Sequence, residues 1–480
     1  MEWWLVVAGG LCLSLFVTAV SIYFPSTIMP GLERQVIPSL VIFALLVGSL
    51  ILLRPEVGVL LIIAMTLLRP EIVQGMGIVT ILMSALSGIL LATIAIRNQL
   101  WFLRVRQVQI FFLIGSLVVI NWLFVGRMEP PGYLSQADLT IRVLQRSVIQ
   151  LALLIFFVSF IRTSRQLMMV TALFLFALFL TVPGAISHSM RGVEAAAGGV
   201  DILRAAATSG IEAAENANRL AFICLMGISL IWFWLLECRS KLLRIFAGVA
   251  IFILVLIVLL SGSRGGLLNL GIAALLILGQ SGLRRGQIVA VILLFVFFIS
   301  VGFLFVPEQI SQRLVSFALT SESVKVESST LSLQRRYLMV QLGLKMFAEN
   351  PFFGVGIGNV RWMNALDPAS GGIPMSLHNS YLLTLAEGGM ILLGAYLLLF
   401  GVTLRDLGKA LKMSSLAPQL RLRWLVLATR TNLILLLVFS LFAETWKEFY
   451  YLLILGTAAV LSQLYRKVAE QSCIQSRSST

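Results

Sequence analysis

Apolar runs long enough to cross a bilayer recur from end to end of this 480-residue chain. No other feature constrains the fold as tightly. Hydrocarbon offers no water to the backbone, so each repeated span must be a helix that pairs its own N–H and C=O groups. The pattern predicts an all-α, polytopic transmembrane bundle. Spans fall near 4–24, 37–53, 57–68, 77–96, 109–125, 147–161, 167–183, 217–236, 242–260, 264–280, 287–306, 380–404, 424–442 and 448–465. "LLRPE" stands at 52–56 and again at 67–71 and leaves the run between them short. Twelve helical residues reach about 18 Å against about 30 Å of hydrocarbon, so 37–68 reads as two crossings or as a re-entrant hairpin. The count is fourteen in the first case and twelve in the second, with the same sidedness downstream. The first run has no basic n-region before it and no small-residue cleavage site before "FPSTIMP", so it reads as a span and not a signal peptide.

A net charge of +15 invites a nucleic-acid reading. Its placement argues otherwise. Basic stretches such as "RNQLWFLRVR" (97–106), "ECRSKLLR" (237–244), "LRR" (283–285), "LRDLGKALK" (404–412), "RLR" (421–423) and "YRK" (465–467) alternate between apolar runs, as cytoplasmic loops do. No basic patch interleaved with aromatic residues marks a nucleic-acid surface. Both termini then lie in the cytoplasm. Cys12, Cys224, Cys238 and Cys473 form no CxxC pair and avoid the long polar loop, so neither a disulfide nor a cysteine metal site is expected.

Three outer segments follow from this sidedness: 126–146, 184–216 and 307–379. The chain divides into N-terminal membrane helices (1–183), central helices with outer arginines (184–306), a large outer loop (307–379), and C-terminal helices with a cytoplasmic tail (380–480). A polar insert as long as the third segment usually carries function. Its piece "TSESVKVESSTLS" (320–332) reads as mobile. In "LQRRYLMVQLGLKMFAEN" (333–350), Leu333, Tyr337, Val340, Leu344 and Phe347 repeat at helical spacing, which predicts an amphipathic helix on the membrane surface. Asn350-Pro351 stops it, and "PFFGVGIGNV" supplies a flexible turn. Gly354, Gly356 and Gly358 lack the preceding strand and the following Lys-Ser/Thr of a phosphate loop. The outer segments also lack an Asp-x-Asp, a Glu-rich pair or a histidine cluster, so no metal and no cofactor is expected.

Outer segments should be poor in cations, yet Arg191, Arg204 and Arg219 surround the second one and Arg264 sits in "SGSRGG" where two spans meet outside. A single such arginine can be explained by snorkelling to the headgroups. Several together favour an anion site, because guanidinium groups match phosphate oxygens bidentately. Gly262, Gly265 and Gly266 would let the backbone approach. Arg335, Arg336 and Arg361 belong to the long loop, the first two equally suited to lipid headgroups. Glu215, one turn before Arg219, is a local partner for it.

"IPMSLHNSY" (373–381) holds His378, one of only two histidines. Pro374 and Ser376 read as start signals, which would set His378 in the first turn of a helix whose N-terminus points outward. The positive end of the helix dipole disfavours imidazolium there. A neutral histidine on the outer face can act as a general base, or simply hydrogen-bond a loop carbonyl. Glu387 falls on the opposite helix face. Glu444 and Glu448 are the carboxylates available to His378, unless they pair with Lys447.

These residues carry a resemblance. "ENPFFGVGIGNV" followed by "LHNSYLLTLAEGGMILLG", after an earlier "LSGSRGGLLNL", resembles the bacterial O-antigen ligase and O-antigen polymerase superfamily, and "RAAATSGIEAAENANRLAF" (204–222) is similar to that family's arginine and Asn-x-x-Ala segment. It is strongest over about 200–400. Leu392 stands where the family has a second small residue.

The resemblance implies a GT-C-like glycosyltransferase of the bacterial inner membrane, working on its periplasmic face. A glycan would pass from undecaprenyl pyrophosphate to an acceptor hydroxyl with inversion and without metal. His378 matches the family's base, and Arg204 and Arg264 match its pyrophosphate-binding arginines, with Arg191 and Arg219 beside them. Arg335, Arg336, Tyr337, Arg361 and Asn379 are expected to make secondary substrate contacts, and Glu444 to partner the histidine. The acceptor is left open between lipid A core (ligase), a growing O-antigen or exopolysaccharide chain (polymerase, with a chain-length regulator as partner) and a protein hydroxyl. A transporter is the non-enzymatic alternative, disfavoured because the charged groups gather at one face and not at the midplane.

Overall fold

The structure is a computed structural model that describes residues 53–69, 76–97, 100–125, 137–197, 210–211, 216–306, 310–311, 327–367, 376–415, 417–446 and 448–478. The spans expected at 4–24 and 37–53 lie outside the described residues, apart from Leu53. Among the described residues there are fourteen α-helices: α1 Pro55–Leu67, α2 Met76–Ile96, α3 Arg106–Phe124, α4 Ala137–Phe160, α5 Ser164–Ala197, α6 Ala217–Glu237, α7 Lys241–Leu260, α8 Arg264–Gln280, α9 Arg285–Leu304, α10 Glu327–Glu349, α11 Val360–Leu366, α12 Ser380–Ser414, α13 Arg423–Phe439 and α14 Phe449–Ser478. The one extended pairing described is Leu68–Arg69 against Gly210–Ile211, antiparallel. Seven helices are long and apolar enough to cross a membrane, namely α3, α6, α7, α9, α12, α5 over 164–187 and α14 over 449–471. The expected all-α polytopic bundle is what forms.

Helix α6 explains the arrangement. It is apolar all round, so no face of it suits solvent, and an unbroken run from Leu220 to Ile231 is buried. It lies at the centre, with α7, α8 and α13 packed on it. A Cβ on Gly266 of α8 would come within 2.6 Å of the Ala221 Cβ, so glycine is what lets the N-terminal ends of α6 and α8 meet. A second group is built on α12, which carries α14, α3 and α13 along its length and α10 near its start. Helix α9 buries almost nothing and offers Val289, Leu293 and Phe297 outward, a surface suited to lipid tails. Helix α1 runs for thirteen residues, about 20 Å, and Leu68–Arg69 just after it pair with Gly210–Ile211.

Two expectations change here. Segment 184–216 does not begin as a loop, because α5 continues through Pro183 to Ala197. Residues 327–332, read as mobile, are the first turns of α10. The stripe of α10 expected at the membrane surface is not the face that packs on protein. Met339, Leu342 and Met346 bury against Leu377, Leu382, Leu383 and Ala386, while Tyr337, Val340 and Leu344 remain exposed. The helix has two apolar stripes, and periodicity alone could not tell which one meets protein.

The glycine stretch is no flexible turn. Helix α12 breaks at Gly389, whose φ of 68° and ψ of −170° are not helical. Broken helices leave carbonyls and amides unpaired, a heavy cost near a membrane unless protein supplies partners. Residues 351–357 supply them. The amides of Val355 and Gly356 donate to the carbonyls of Ala386 and Glu387 at 2.8 and 3.1 Å, and the Met390 amide donates to the Pro351 carbonyl at 2.9 Å. Asn121 of α3 completes the joint, its Nδ2 donating to the Phe353 carbonyl and its Oδ1 accepting from the Ile357 amide at 3.0 Å. The positive φ of Gly354, Gly356 and Gly358 shapes the docked loop.

Candidate active site

His378 stands just ahead of α12, not in its first turn. Asn379 is the N-cap, its Oδ1 accepting from the Leu382 amide at 3.0 Å. Its φ of −144° is extended and that of His378 is +51°, so the chain turns sharply into the helix. Asparagine caps better than the serine at 376 because its side-chain oxygen reaches the third amide of the helix from an extended backbone. A left-handed non-glycine residue costs about 1–2 kcal/mol and must be held by its neighbours. They do hold it: Ser376 and Leu377 are buried on one side. On the other side Ser380 donates its amide to the Ser440 carbonyl at 2.8 Å and its hydroxyl to the Ala443 carbonyl at 2.9 Å, and its Oγ accepts from the Thr445 amide at 2.9 Å. Ser440, Thr445 and the Trp446 indole, which donates to Ser440 Oγ at 3.0 Å, extend this polar clip. The clip fixes the 440–446 turn, and with it Glu444, beside the histidine.

Five elements bring charge to the same place. Arg219 lies in the first turn of α6 and Arg264 begins α8, which Ser263 caps by accepting from the Gly266 amide at 3.0 Å. The close packing at Ala221 and Gly266 sets these two helix starts side by side. Arg336 comes from α10, Arg361 from α11, and the two carboxylates from the turn into α14. Arg219 pairs with Glu448 at 2.6 Å, and Arg361 reaches Glu444 at 4.0 Å. The partner described for Arg219 is therefore long-range, Glu215 lying outside the described residues. Four arginines and two glutamates leave the cluster cationic while the imidazole is neutral.

The charges act on one another. Enclosure by the surrounding elements holds His378 below its ordinary value even though part of it remains exposed, Glu444 pulls it upward, and Arg336, Arg361 and Arg219 push it further down. Burial likewise lowers Arg336, with the Arg264 charge adding to the effect. Glu444 Oε1 is buried without a hydrogen-bond partner, an acceptor in want of a donor.

The remaining expected residues are less engaged. Arg204 lies outside the described residues, and Arg191 and Arg335 are placed only as backbone of α5 and α10. Tyr337 is 67% exposed. Asn379 commits its Oδ1 to the cap, so it offers a ligand only its amide N–H groups. Among the described residues no group of three metal-binding side chains occurs. Sequence reasoning missed Asn121 and Ser380, both buried. An asparagine inside the apolar run of α3 was the available signal, since a polar side chain at membrane depth needs a partner.

Residues 249–397 match the family model described as O-antigen ligase. The matched stretch runs from α7 into α12, and it contains Arg264, Arg336, Arg361, His378 and the docked glycine loop. Arg219, Glu444 and Glu448 lie outside it. No curated protein matches the chain. Over the matched region the superfamily resemblance read from the motifs holds.

Proposed function

We propose that the chain is a membrane glycosyltransferase of the O-antigen ligase and polymerase kind, moving a glycan from a lipid pyrophosphate to an acceptor hydroxyl at the end of the bundle that holds His378. One observation carries the reading: within and beside the matched domain, an imidazole held below its usual pKa stands with a carboxylate and four arginines. Neutral imidazole takes the acceptor's proton. The hydroxyl oxygen then attacks the anomeric carbon from the face opposite the leaving group, the carbon–oxygen bond to pyrophosphate breaks, and the configuration inverts. Charge developing on the departing pyrophosphate needs preorganised cations, and Arg264, Arg336 and Arg219 are placed to provide them. The imidazolium left behind is stabilised by Glu444, whose buried oxygen can accept its N–H. Arginines meet the charge demand of this chemistry, so the reading asks for no metal. Arg204 is included on the strength of its motif.

By this reading the protein sits in the bacterial inner membrane, its site open to the periplasm and its donor undecaprenyl-linked. The exposed stripe of α10, Tyr337, Val340 and Leu344, suits a helix resting on that leaflet beside the lipid donor. The decisive experiment compares surface polysaccharide from cells producing wild type, His378→Ala or Arg264→Ala. Both variants should insert stably and leave the acceptor unmodified. Normal glycan from stably inserted variants would sink the proposal. Deletion separates the acceptors: uncapped lipid A core with free polymer means ligase, single repeat units on the core mean polymerase, and loss of glycan from a protein alone means protein glycosylation.

A further inference from the structure

At the opposite end of α12, roughly 40 Å along the helix from His378, a cavity of about 740 Å³ opens between α3, α12, α14 and the helical turn Leu100–Arg104. This is the face that the positive-inside rule assigns to the cytoplasm, and the proposed transfer makes no use of it. Its walls carry five cations, Arg104, Arg106, Lys409, Arg466 and Lys467, against two carboxylates, Asp406 and Glu470.

Both carboxylates are already committed. Asp406 accepts from Gln107 Nε2 at 3.2 Å and faces Arg106 and Arg405 at 3.7 and 3.5 Å. Glu470 takes Arg466 Nε at 2.8 Å. No carboxylate among the described residues pairs with Arg104, Lys409 or Lys467. Two neutral groups in the same wall are in a similar position, since the Trp101 indole N–H and the Gln463 amide N–H are buried without an acceptor. The Trp101 ring is occupied differently, lying 4.9 Å from the Arg162 guanidinium and 6.0 Å from Lys467 Nζ.

The three cations without a carboxylate and the two buried N–H groups without an acceptor make this cavity rich in donors. Its complement must bring acceptors and negative charge, which is the description of phosphate oxygens. Inorganic phosphate alone would occupy a small part of such a volume. Part of the lining is apolar, from Val105, Ala410, Met413 and Ala459, and Leu100 and Leu103 on the adjoining turn are exposed. A charged head with an apolar body behind it fits both halves.

We infer that this cavity binds phosphate oxygens and that its occupant is the headgroup of an anionic membrane phospholipid. Inner-leaflet anionic lipids are drawn to basic pockets between transmembrane helices. Once seated, such a lipid would tie together the ends of α3, α12 and α14, the helices that carry the break at Gly389 and the turn bearing Glu444.

The test uses the full-length protein, purified and stripped of lipid. Its unfolding midpoint would be followed on titration with phosphatidylglycerol, cardiolipin, phosphatidylcholine or glycerol 3-phosphate. Phosphatidylglycerol and cardiolipin should raise the midpoint, phosphatidylcholine should not, and Lys409→Gln/Lys467→Gln should weaken the apparent affinity for phosphatidylglycerol about tenfold or more. Trp101→Phe, which keeps an aromatic ring and removes the indole N–H, should weaken it less. An equal rise with glycerol 3-phosphate overturns the lipid and retains the phosphate site. No rise with any anion, or an unchanged affinity in the double variant, overturns the site. Should that variant fail to fold, Arg104→Gln provides the same reading.

Discussion

Arg361 and Glu444 face each other across 4.0 Å, and Glu444 is also the one group that raises His378 against three arginines that lower it. The carboxylate therefore works against the burial and the arginines that hold the imidazole down. Replacing it by Gln removes the upward pull and leaves Arg361 without its anion, so the His378 pKa should fall further. A further fall weakens the base and lowers the rate. In transfer assays on purified Glu444→Gln protein, the acid limb of the pH profile should move to lower pH as the plateau falls. A lower plateau with an unmoved limb would mean that Glu444 acts only on structure.

The pH dependence of the wild type follows in sign. The folded-state pKa of His378 lies below the ordinary value near 6.5. In the proposed transfer neutral imidazole is the active form, so it should persist as pH falls from 7 through about 6.5, with activity lost only as pH drops through the folded pKa. The stability linked to this group follows the same course, present above the unfolded pKa and lost as pH falls towards the folded one. A bound pyrophosphate adds negative charge and raises the histidine, so the acid limb of kcat should lie at higher pH than that of kcat/KM. His378→Ala should lose about 10²–10⁴-fold in rate and show no acid limb from this group. An acid limb that survives in His378→Ala assigns the titration to another residue.

Membrane helices announced themselves in the sequence because apolar length has one physical meaning in a chain of this kind. The ends of those helices were harder to read. His378 was expected inside a helix because Pro374 and Ser376 resemble start signals, whereas the cap that forms depends on Asn379 reaching the Leu382 amide. The break in α12 was likewise hidden. "EGGM" in an apolar run announces weak helix, but only the docked "PFFGVG" segment and Asn121, 268 residues before Gly389 in the chain, show what replaces the missing hydrogen bonds. The arginines were legible by sidedness, and their partners Glu444 and Glu448 were named without being matched to them. Pairing across some 230 residues, as between Arg219 and Glu448, leaves no local spacing to read.

Gly389 offers a sharp test of the docked joint. A Cβ there would overlap the Phe352 carbonyl, and the backbone is left-handed besides, so Gly389→Ala should displace the loop and cost more than the about 1–2 kcal/mol of the conformation alone. Gly394, five residues on in the same helix, has open space around its would-be Cβ, and Gly394→Ala should be neutral or slightly stabilising. Asn121→Ala should fall between them, leaving the Ile357 amide without its acceptor at about 1–3 kcal/mol. Unfolding midpoints of the three variants in detergent give the order. Equal midpoints for Gly389→Ala and Gly394→Ala would refute the docking.

Arg264 and Arg336 are predicted to act on the donor and not on the acceptor. They reach the cluster from different elements, and the charge of the first helps to lower the pKa of the second. Two cations held in mutual opposition are stabilised by an anion between them, so each should matter more when pyrophosphate is bound and most when its charge is developing. Arg336→Ala should raise KM for the lipid donor and lower kcat, with KM for the acceptor unchanged. Arg264→Lys keeps the charge and loses the planar fork, and it should recover only part of what Arg264→Ala loses. Steady-state kinetics with donor and acceptor varied separately check both. A KM effect confined to the acceptor would move these arginines to the other substrate.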